Sequence, residues 1–255
     1  MCIRDRFCVE GASDISNASR PIKDEEVSQC NDIGREPIEI RVGTDALTVD
    51  IRQVNYFAHE LTFEEIATAF SLTDPGSTWA DVNTDFPAHP FQLFTPGADS
   101  GTFDYFNEEI FDEAEPSPIL SSIAQIVGED DNVTVQGVAG DGCTEGDLAS
   151  TCAVGYFGYA FFAENADVLQ AVAVDAGDGP VSPGDDSVNE GTYPLARPLY
   201  MYTDAGIVAE KPQVASFIAF YLNRVNEVIG DVGYFPAPES ALQEAADAIK
   251  AAADF

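Results

Sequence analysis

Residues 96–106 read PGADSGTFDYF and follow the short apolar run FQLFT at residues 91–95. The apolar run predicts a strand, the Pro-Gly pair predicts a turn, and the spacing of the aromatic residues predicts a helix that begins at Ser100. Free backbone N–H groups and a partial positive charge lie at such a helix start. Ser100 and Thr102 add hydroxyl donors, so the segment is suited to an oxyanion without any lysine. Asp-Ser-Gly is also an ordinary helix N-cap, and the segment alone leaves both interpretations open.

Asp99 is unexpected in a segment that binds an anion, because a carboxylate repels phosphate. A carboxylate can nevertheless accept a hydrogen bond from an anion that keeps a proton. Phosphate near neutral pH carries one or two protons, whereas sulfate carries none. Asp99 therefore predicts a preference for phosphate over sulfate.

The remaining pattern alternates strands with helices, which predicts an α/β protein with largely parallel sheets. The longest predicted helix runs over 211–229, and Thr62 and Glu65 form a capping box at the start of another. Strands are predicted at 38–55, 91–95, 153–162, 169–174 and 199–202. Helices are predicted at 61–72, 164–170, 211–229 and 237–253, besides the one that begins at Ser100.

The chain is strongly acidic, with 11 basic against 45 acidic residues and a formal net charge of −34 over 255 residues. This balance argues against nucleic acid or an anionic membrane as partner, because both require basic surfaces. An acidic surface suits high salt, where screening relieves self-repulsion. Hydrophobic residues make up 45% of the chain, which is enough for a packed core.

The cysteines fit disulfides better than a metal site, since none forms a Cys-x-x-Cys pair. Cys143 and Cys152 flank a polar stretch, and Cys8 and Cys30 bracket a turn and a short helix. Two disulfides would indicate an oxidising compartment, and four buried thiols are the alternative. No metal and no cofactor is expected.

A second candidate for anion binding is the segment Ser19-Arg20-Pro21, just before a predicted helix. The forked guanidinium of Arg20 suits a tetrahedral oxyanion. An arginine in a surface salt bridge is the alternative interpretation.

Five segments occur in one order: GASDISNASRPIKDEE (11–26), VGTDALTV (42–49), PGADSGTFDYF (96–106), AVGYFGYAFFAENADVL (153–169) and YPLARPLYMY (193–202). Together they resemble the periplasmic phosphate-binding proteins of the PstS family, in the branch with an Ala-Ser-Arg-Pro signature. The resemblance covers residue 8 to about residue 240.

The resemblance implies a type II periplasmic-binding-protein fold, in which two α/β lobes close on the anion in a cleft. Residues 7–57 with 194–255 would form the first lobe, and 58–193 the second. Residues 1–6 are expected to be a non-native head segment. A first strand–helix–strand unit and its phosphate-binding loop, present in the family, are missing here, as is a signal peptide. The chain is therefore expected to be a fragment that binds phosphate weakly or not at all.

The resemblance also assigns site residues. It implies that Ser100, Gly101 and Thr102 bind phosphate from the second lobe, opposite Ser19 and Arg20 of the first. Asp99 is then the candidate that accepts the phosphate hydrogen.

Asp45, in the segment VGTDALTV, is a second candidate for that role or for orienting Arg20, and capping a strand near the hinge is its alternative role. A structural role is favoured for Arg197.

The function implied is an extracytoplasmic receptor, periplasmic or on the cell surface, that captures inorganic phosphate and delivers it to an ABC permease. A monomer is expected. A receptor for another oxyanion, sulfate or molybdate, is one alternative. An enzyme with Ser100 as nucleophile is another, and it would require a base beside Ser100.

Overall fold

The structure is a computed structural model. It describes residues 4–9, 11–71, 78–90, 92–97, 100–111, 124–126, 130–140 and 153–253. In this part of the chain no helix is both long enough and apolar enough to cross a bilayer.

The described residues form strands and helices that alternate along most of the chain. The strands are β1 (Ser16–Ala18), β2 (Pro37–Arg52), β3 (Glu60–Thr62), β4 (Gln92–Thr95), β5 (Ala124–Ile126), β6 (Ala153–Gly158), β7 (Leu169–Ala171), β8 (Ala173–Asp175), β9 (Pro180–Val181), β10 (Ala196–Asp204) and β11 (Phe235–Pro236). The helices are α1 (Asp24–Asp32), α2 (Phe63–Phe70), α3 (Trp79–Val82), α4 (Gly101–Phe111), α5 (Asp131–Ala139), α6 (Tyr159–Glu164), α7 (Asp185–Asn189), α8 (Ala205–Glu210), α9 (Pro212–Leu222), α10 (Val225–Val228) and α11 (Glu239–Ala252), with a π-helix at Arg4–Val9 and a 3₁₀ helix at Ile229–Val232.

The chain forms two compact units, Met1–Asp45 with Arg197–Phe255 and Ala46–Ala196. The chain passes from one unit to the other within β2 and again at the start of β10. The lobe boundaries expected from the sequence, 7–57 with 194–255 and 58–193, remain a prediction.

The first unit has a sheet in which β10 lies between β1 and the first part of β2. β1 is antiparallel to β10, with Ser16 opposite Tyr202, and β11 is antiparallel to β2, with Phe235 opposite Thr44. The core of the unit contains Ile40, Ile218, Ile249 and other apolar side chains of the sheet and of α8, α9 and α11. This sheet positions the loop that follows β1.

The Cys8–Cys30 disulfide is confirmed and lies in the same core, where both residues are fully buried. It ties the Arg4–Val9 turn to α1, which begins four residues after Arg20. Cys143 and Cys152, the other predicted pair, lie outside the described residues.

The second unit contains the last part of β2, followed in the sheet by β6, β4 and β5. β2 is antiparallel to β6 and β7, whereas β4 is parallel to both β5 and β6. A small separate sheet contains β3, β8 and β9. Phe106 of α4 stacks on Tyr156 of β6, with ring centroids 3.9 Å apart. This contact fixes the helix that follows the Pro-Gly turn against the sheet.

The fold class predicted from the sequence is confirmed, since the chain is a mixed α/β protein. The expectation of largely parallel sheets is wrong, because β2 pairs antiparallel with β6, β7 and β11. The predicted helix at 164–170 is also wrong. The helix lies earlier, at Tyr159–Glu164, so the strand predicted at 153–162 ends at Gly158. The strand predicted at 169–174 is confirmed as β7, which pairs with β2, and β8.

The predicted helix at 211–229 is interrupted after Leu222. The Asn223 side chain donates to the carbonyl of Ala219 at 2.7 Å, and this local hydrogen bond competes with helix propagation. A short helix and a 3₁₀ turn follow, so Gly230 lies inside the 3₁₀ turn rather than ending a long helix.

Candidate functional site

Arg20 lies in the loop between β1 and α1, where its guanidinium is held by Glu26. Arg20 Nη1 donates to Glu26 Oε2 and Nη2 donates to Oε1, both at 2.9 Å. The backbone N–H of Lys23 donates to Glu26 Oε2 as well, at 2.9 Å. Parallel contacts of this kind are the most directional of the ion pairs in proteins. The sequence places Glu26 in the first turn of α1, so the start of this helix fixes Arg20.

The electrostatics of Glu26 agree with this arrangement. Its side chain is 3% exposed, against 39% for Arg20. The hydrogen bond from Arg20 is the main cause that lowers the pKa of Glu26 below its ordinary value, although burial opposes this effect. Glu26 is therefore an ionised carboxylate that keeps the Arg20 side chain in one orientation.

The rest of the Arg20 loop is anchored to β10 through Tyr202. The backbone N–H of Ile22 donates to the Tyr202 hydroxyl at 2.9 Å, and that hydroxyl donates to Glu39 Oε2 at 2.6 Å. Burial and the Glu39 hydrogen bond raise the pKa of the Tyr202 phenol well above its ordinary value. The phenol thus stays protonated and can make both contacts.

Asp45 forms an ion pair with Arg197, which the sequence had not indicated. Arg197 Nε and Nη2 both donate to Asp45 Oδ2, each at 3.1 Å. Asp45 ends the first-unit part of β2, and Arg197 begins the first-unit part of β10. The pair therefore joins the two neighbouring strands of the first unit at the residues where the chain enters and leaves it.

These residues share a cavity of about 760 Å³ in the first unit. Its polar wall contains Ser19, Arg20, Asp45, Arg197 and Arg224. The remaining wall is apolar and aromatic, with side chains of α9, α10 and the 3₁₀ turn that follows them. The structure thus brings together Ser19, Arg20 and Asp45, three of the residues predicted from the sequence.

In the second unit, Ser100 directly precedes α4, as predicted. Its hydroxyl oxygen accepts the Thr102 N–H at 3.2 Å, and its carbonyl accepts the N–H of Asp104 at 3.2 Å. Ser100 N donates to the Gly97 carbonyl at 3.0 Å, which closes the turn after β4. Ser100 is thus a helix N-cap that is 9% exposed, and the helix start that it caps is suited to an anion.

Gly101 is exposed, and no atom of the described residues lies within 4 Å of the position that a Cβ would take. The glycine is therefore not required by the packing of the unit. Open space beside the first N–H groups of α4 leaves room for a ligand. Asp99, the predicted hydrogen acceptor, lies outside the described residues.

Asp50 is a buried carboxyl that sequence reasoning missed. It lies on β2 in the second unit and is fully buried. Thr48 Oγ1 donates to Asp50 Oδ2 at 2.6 Å, whereas Oδ1 has no hydrogen-bond partner among the residues described. Burial raises the pKa of Asp50 well above its ordinary value, and the Thr48 hydrogen bond only partly opposes this. The sequence did not reveal this burial, because Asp50 is a single carboxyl between β-branched residues of a strand.

The architecture is that of the type II periplasmic-binding-protein fold, and comparison with known proteins agrees. The sequence model of the PBP superfamily domain matches residues 6–225. Protein SphX of Synechocystis sp. is 37% identical over 238 residues, 92% of this chain and 67% of that protein. The phosphate-binding protein PstS of Staphylococcus saprophyticus is 32% identical over 237 residues, 92% of this chain and 69% of that protein. The chain spans about two thirds of the length of these curated relatives.

Solved structures give the same result. A possible phosphate-binding protein from Planctomyces limnophilus superposes with a TM-score of 0.80 at 35% identity, over 97% of this chain and 84% of that one. An ABC-type phosphate transport receptor from Vibrio cholerae superposes with a TM-score of 0.66 at 20% identity, over 89% of this chain and 81% of that one, which supports the fold. The chain therefore belongs to the PBP superfamily and, within it, to the PstS family.

Proposed function

We propose that this chain belongs to an extracytoplasmic receptor that captures inorganic phosphate and delivers it to an ABC permease. The observation that carries the proposal is the Arg20 guanidinium, fixed by Glu26 on the wall of a cavity that it shares with Ser19. A fixed fork of N–H donors matches the geometry of a tetrahedral oxyanion. In a chain with a net charge of −34, such a local cation is what an anion needs to overcome the surrounding field.

The start of α4 in the second unit is a further element suited to phosphate. Ser100, Gly101 and Thr102 form the start of α4, where backbone N–H groups and a hydroxyl are suited to phosphate oxygens. Asp99 would accept the phosphate hydrogen and so exclude sulfate. The names of the relatives support phosphate as the anion, since PstS of S. saprophyticus is a phosphate-binding protein.

Capture without covalent chemistry is favoured over catalysis by Ser100. The Ser100 hydroxyl oxygen already accepts the Thr102 N–H, which is the role of a helix cap. Relatives of the family are transport proteins that bind a substrate. The Cys8–Cys30 disulfide supports a location outside the cytoplasm. We also propose that the receptor is a monomer and that it docks on the permease subunits.

Calorimetric titration with phosphate tests the proposal, with Arg20→Gln as the variant and Arg52→Gln as the control. Arg52 is the last residue of β2, in the other unit and outside the Arg20 cavity. We expect the wild-type chain and Arg52→Gln to bind phosphate with similar affinity. Arg20→Gln should bind about tenfold to a hundredfold more weakly, the range for losing a hydrogen bond to a charged group. Equal phosphate affinity in the wild type and in Arg20→Gln would refute the proposal.

A further inference from the structure

Basic residues are scarce in this chain, and several of them line one cavity. There are 11 lysines and arginines against 45 acidic residues, yet Arg20, Arg197 and Arg224 all lie on the first-unit cavity. They differ in how they are held. Arg224 pairs with Glu227 one turn away, and both side chains are more than half exposed. Water screens such a pair, so it contributes little to a site. Arg20 and Arg197 are held by Glu26 and Asp45, and both of these carboxylates are less exposed than Glu227.

The Asp45–Arg197 pair orients the arginine strictly. Two nitrogens on one edge of the guanidinium, Nε and Nη2, donate to the same oxygen of Asp45. The side chains are 19% and 20% exposed, which shields the pair from solvent while leaving it on the cavity wall. Tyr234 lines the same cavity. Burial, followed by the charge of Asp45, raises the pKa of this phenol, and Arg197 opposes the shift. A partly buried arginine with a bound edge has a fixed guanidinium plane.

We infer that Arg197 is a second anion-binding guanidinium of the phosphate site and that Asp45 is its positioning residue. The inference rests on the proposed function, and it replaces the structural role that the sequence favoured for Arg197. Arg20 and Arg197 line the same cavity as Ser19, so one anion at this wall would meet two guanidiniums that are each held by a carboxylate. The charge of Asp45 is already engaged by Arg197. We assign Asp45 the positioning role through its Oδ2 atom, and Asp99 stays the proposed acceptor of the phosphate hydrogen.

The experiment compares phosphate affinity by calorimetry among variants of the full chain. Arg197→Gln should weaken binding about tenfold to a hundredfold. Arg197→Lys keeps the charge but loses the fork, so it should retain part of the affinity. Arg224→Gln is the matched control, an arginine of the same cavity whose exposed charge should matter little. Asp45→Asn should weaken binding without improving sulfate as a competitor, and Asp45→Asn with Arg197→Gln should bind no more weakly than Arg197→Gln alone.

Each outcome is decisive. Wild-type affinity in both Arg197→Gln and Arg197→Lys would overturn the inference while leaving the proposed function intact. Additive losses in the double variant, or sulfate competition gained by Asp45→Asn, would show that Asp45 acts on the anion itself and overturn its positioning role. If Arg20→Gln also keeps the wild-type affinity, the proposed function fails together with the inference. Unfolding midpoints without phosphate identify a misfolded variant, and Arg197→Lys then decides the question.

Discussion

Arg20 and Glu26 meet through two parallel N–H···O contacts of 2.9 Å each, six residues apart in the chain. The carboxylate is nearly buried, while the guanidinium is partly exposed and reaches the cavity wall. Glu26 also accepts the Lys23 N–H at the start of α1. One acidic residue thus fixes the helix start and the arginine together.

This pair predicts an acid-dependent loss of stability. Because the folded-state pKa of Glu26 is lowered, its contribution is fully present above pH 4.5, its ordinary pKa, and is lost as pH falls through the lowered value. Glu26→Gln should therefore lower the free energy of unfolding at neutral pH, by about 1–3 kcal/mol and nearer the lower figure because Arg20 is partly exposed. Urea unfolding across pH 3–7 measures this. Glu25→Gln is the control, because Glu25 is an exposed neighbour in the same turn. If the Glu26→Gln protein loses as much stability as the wild type when the pH falls, Glu26 is not the cause of the acid-dependent loss.

The variant Gly101→Ala tests whether the open space beside Gly101 is used by the ligand and not by the packing of the unit. A Cβ at this position meets no atom within 4 Å in the part of the chain that the structure describes, so Gly101→Ala should keep the unfolding midpoint of the wild type. The added methyl would stand in the open space that we assign to phosphate, so phosphate affinity should fall at least about tenfold, in line with losing a charge-assisted hydrogen bond.

Gly184→Ala is the control for the Gly101 variant, because this glycine caps another helix in the same unit and also has open space around its Cβ position. Calorimetric titration of both variants with phosphate is the measurement. Unchanged affinity in Gly101→Ala would place the anion elsewhere.

The sequence predicted the helix start because all its determinants are local. Pro96, Gly97, Ser100 and the aromatic spacing specify a turn, a cap and a helix within a few residues, and the structure has α4 at Gly101–Phe111. Leu169–Ala171 shows the opposite case. The sequence predicts both a helix that ends at residue 170 and a strand that begins at residue 169, and pairing with β2 more than 100 residues away decides for the strand.

Asp50 predicts a decline in stability as pH rises. Because burial raises its folded-state pKa, the folded protein keeps this proton when the unfolded chain has lost it. The stabilising effect is complete below pH 3.8, the ordinary pKa, and weakens as pH rises above it. Asp50→Asn cannot ionise, so it should gain stability relative to the wild type from pH 4 to pH 8. Chemical unfolding of both proteins measures the difference, with exposed Asp178→Asn as the control. If the difference in unfolding free energy between the two proteins does not change with pH, Asp50 is not neutral in the folded protein.

The Cys8–Cys30 disulfide closes a loop with a sequence separation of 22 residues. Loop-closure entropy of the unfolded chain predicts a stabilisation of about 3 kcal/mol. Cys8→Ser with Cys30→Ser should lower the free energy of unfolding by roughly that amount, as measured by urea unfolding under oxidising conditions. No loss of stability would show that the bond does not form in solution. Non-reducing peptide mapping of the wild type also tests the predicted pair Cys143 and Cys152.

The site could be predicted only in part, and the reason is the range of its interactions. Ser19 and Arg20 belong to a recognisable local segment. The contact between Asp45 and Arg197 joins residues 152 positions apart, and a single arginine between strand-like segments does not reveal such a partner. The role of Glu26 was similarly not evident, since three acidic residues begin α1 and the sequence does not show that Glu26 pairs with Arg20.

Competition between phosphate and sulfate tests the central claim most directly. Calorimetric titration of the wild-type chain with phosphate, repeated in excess sulfate at pH 7, measures both uptake and selectivity. Phosphate should bind saturably and sulfate should leave its affinity unchanged, because a carboxylate acceptor requires a proton on the anion. Displacement of phosphate by sulfate, or an equal phosphate affinity in Arg20→Gln, would contradict a phosphate receptor in which Arg20 binds the anion.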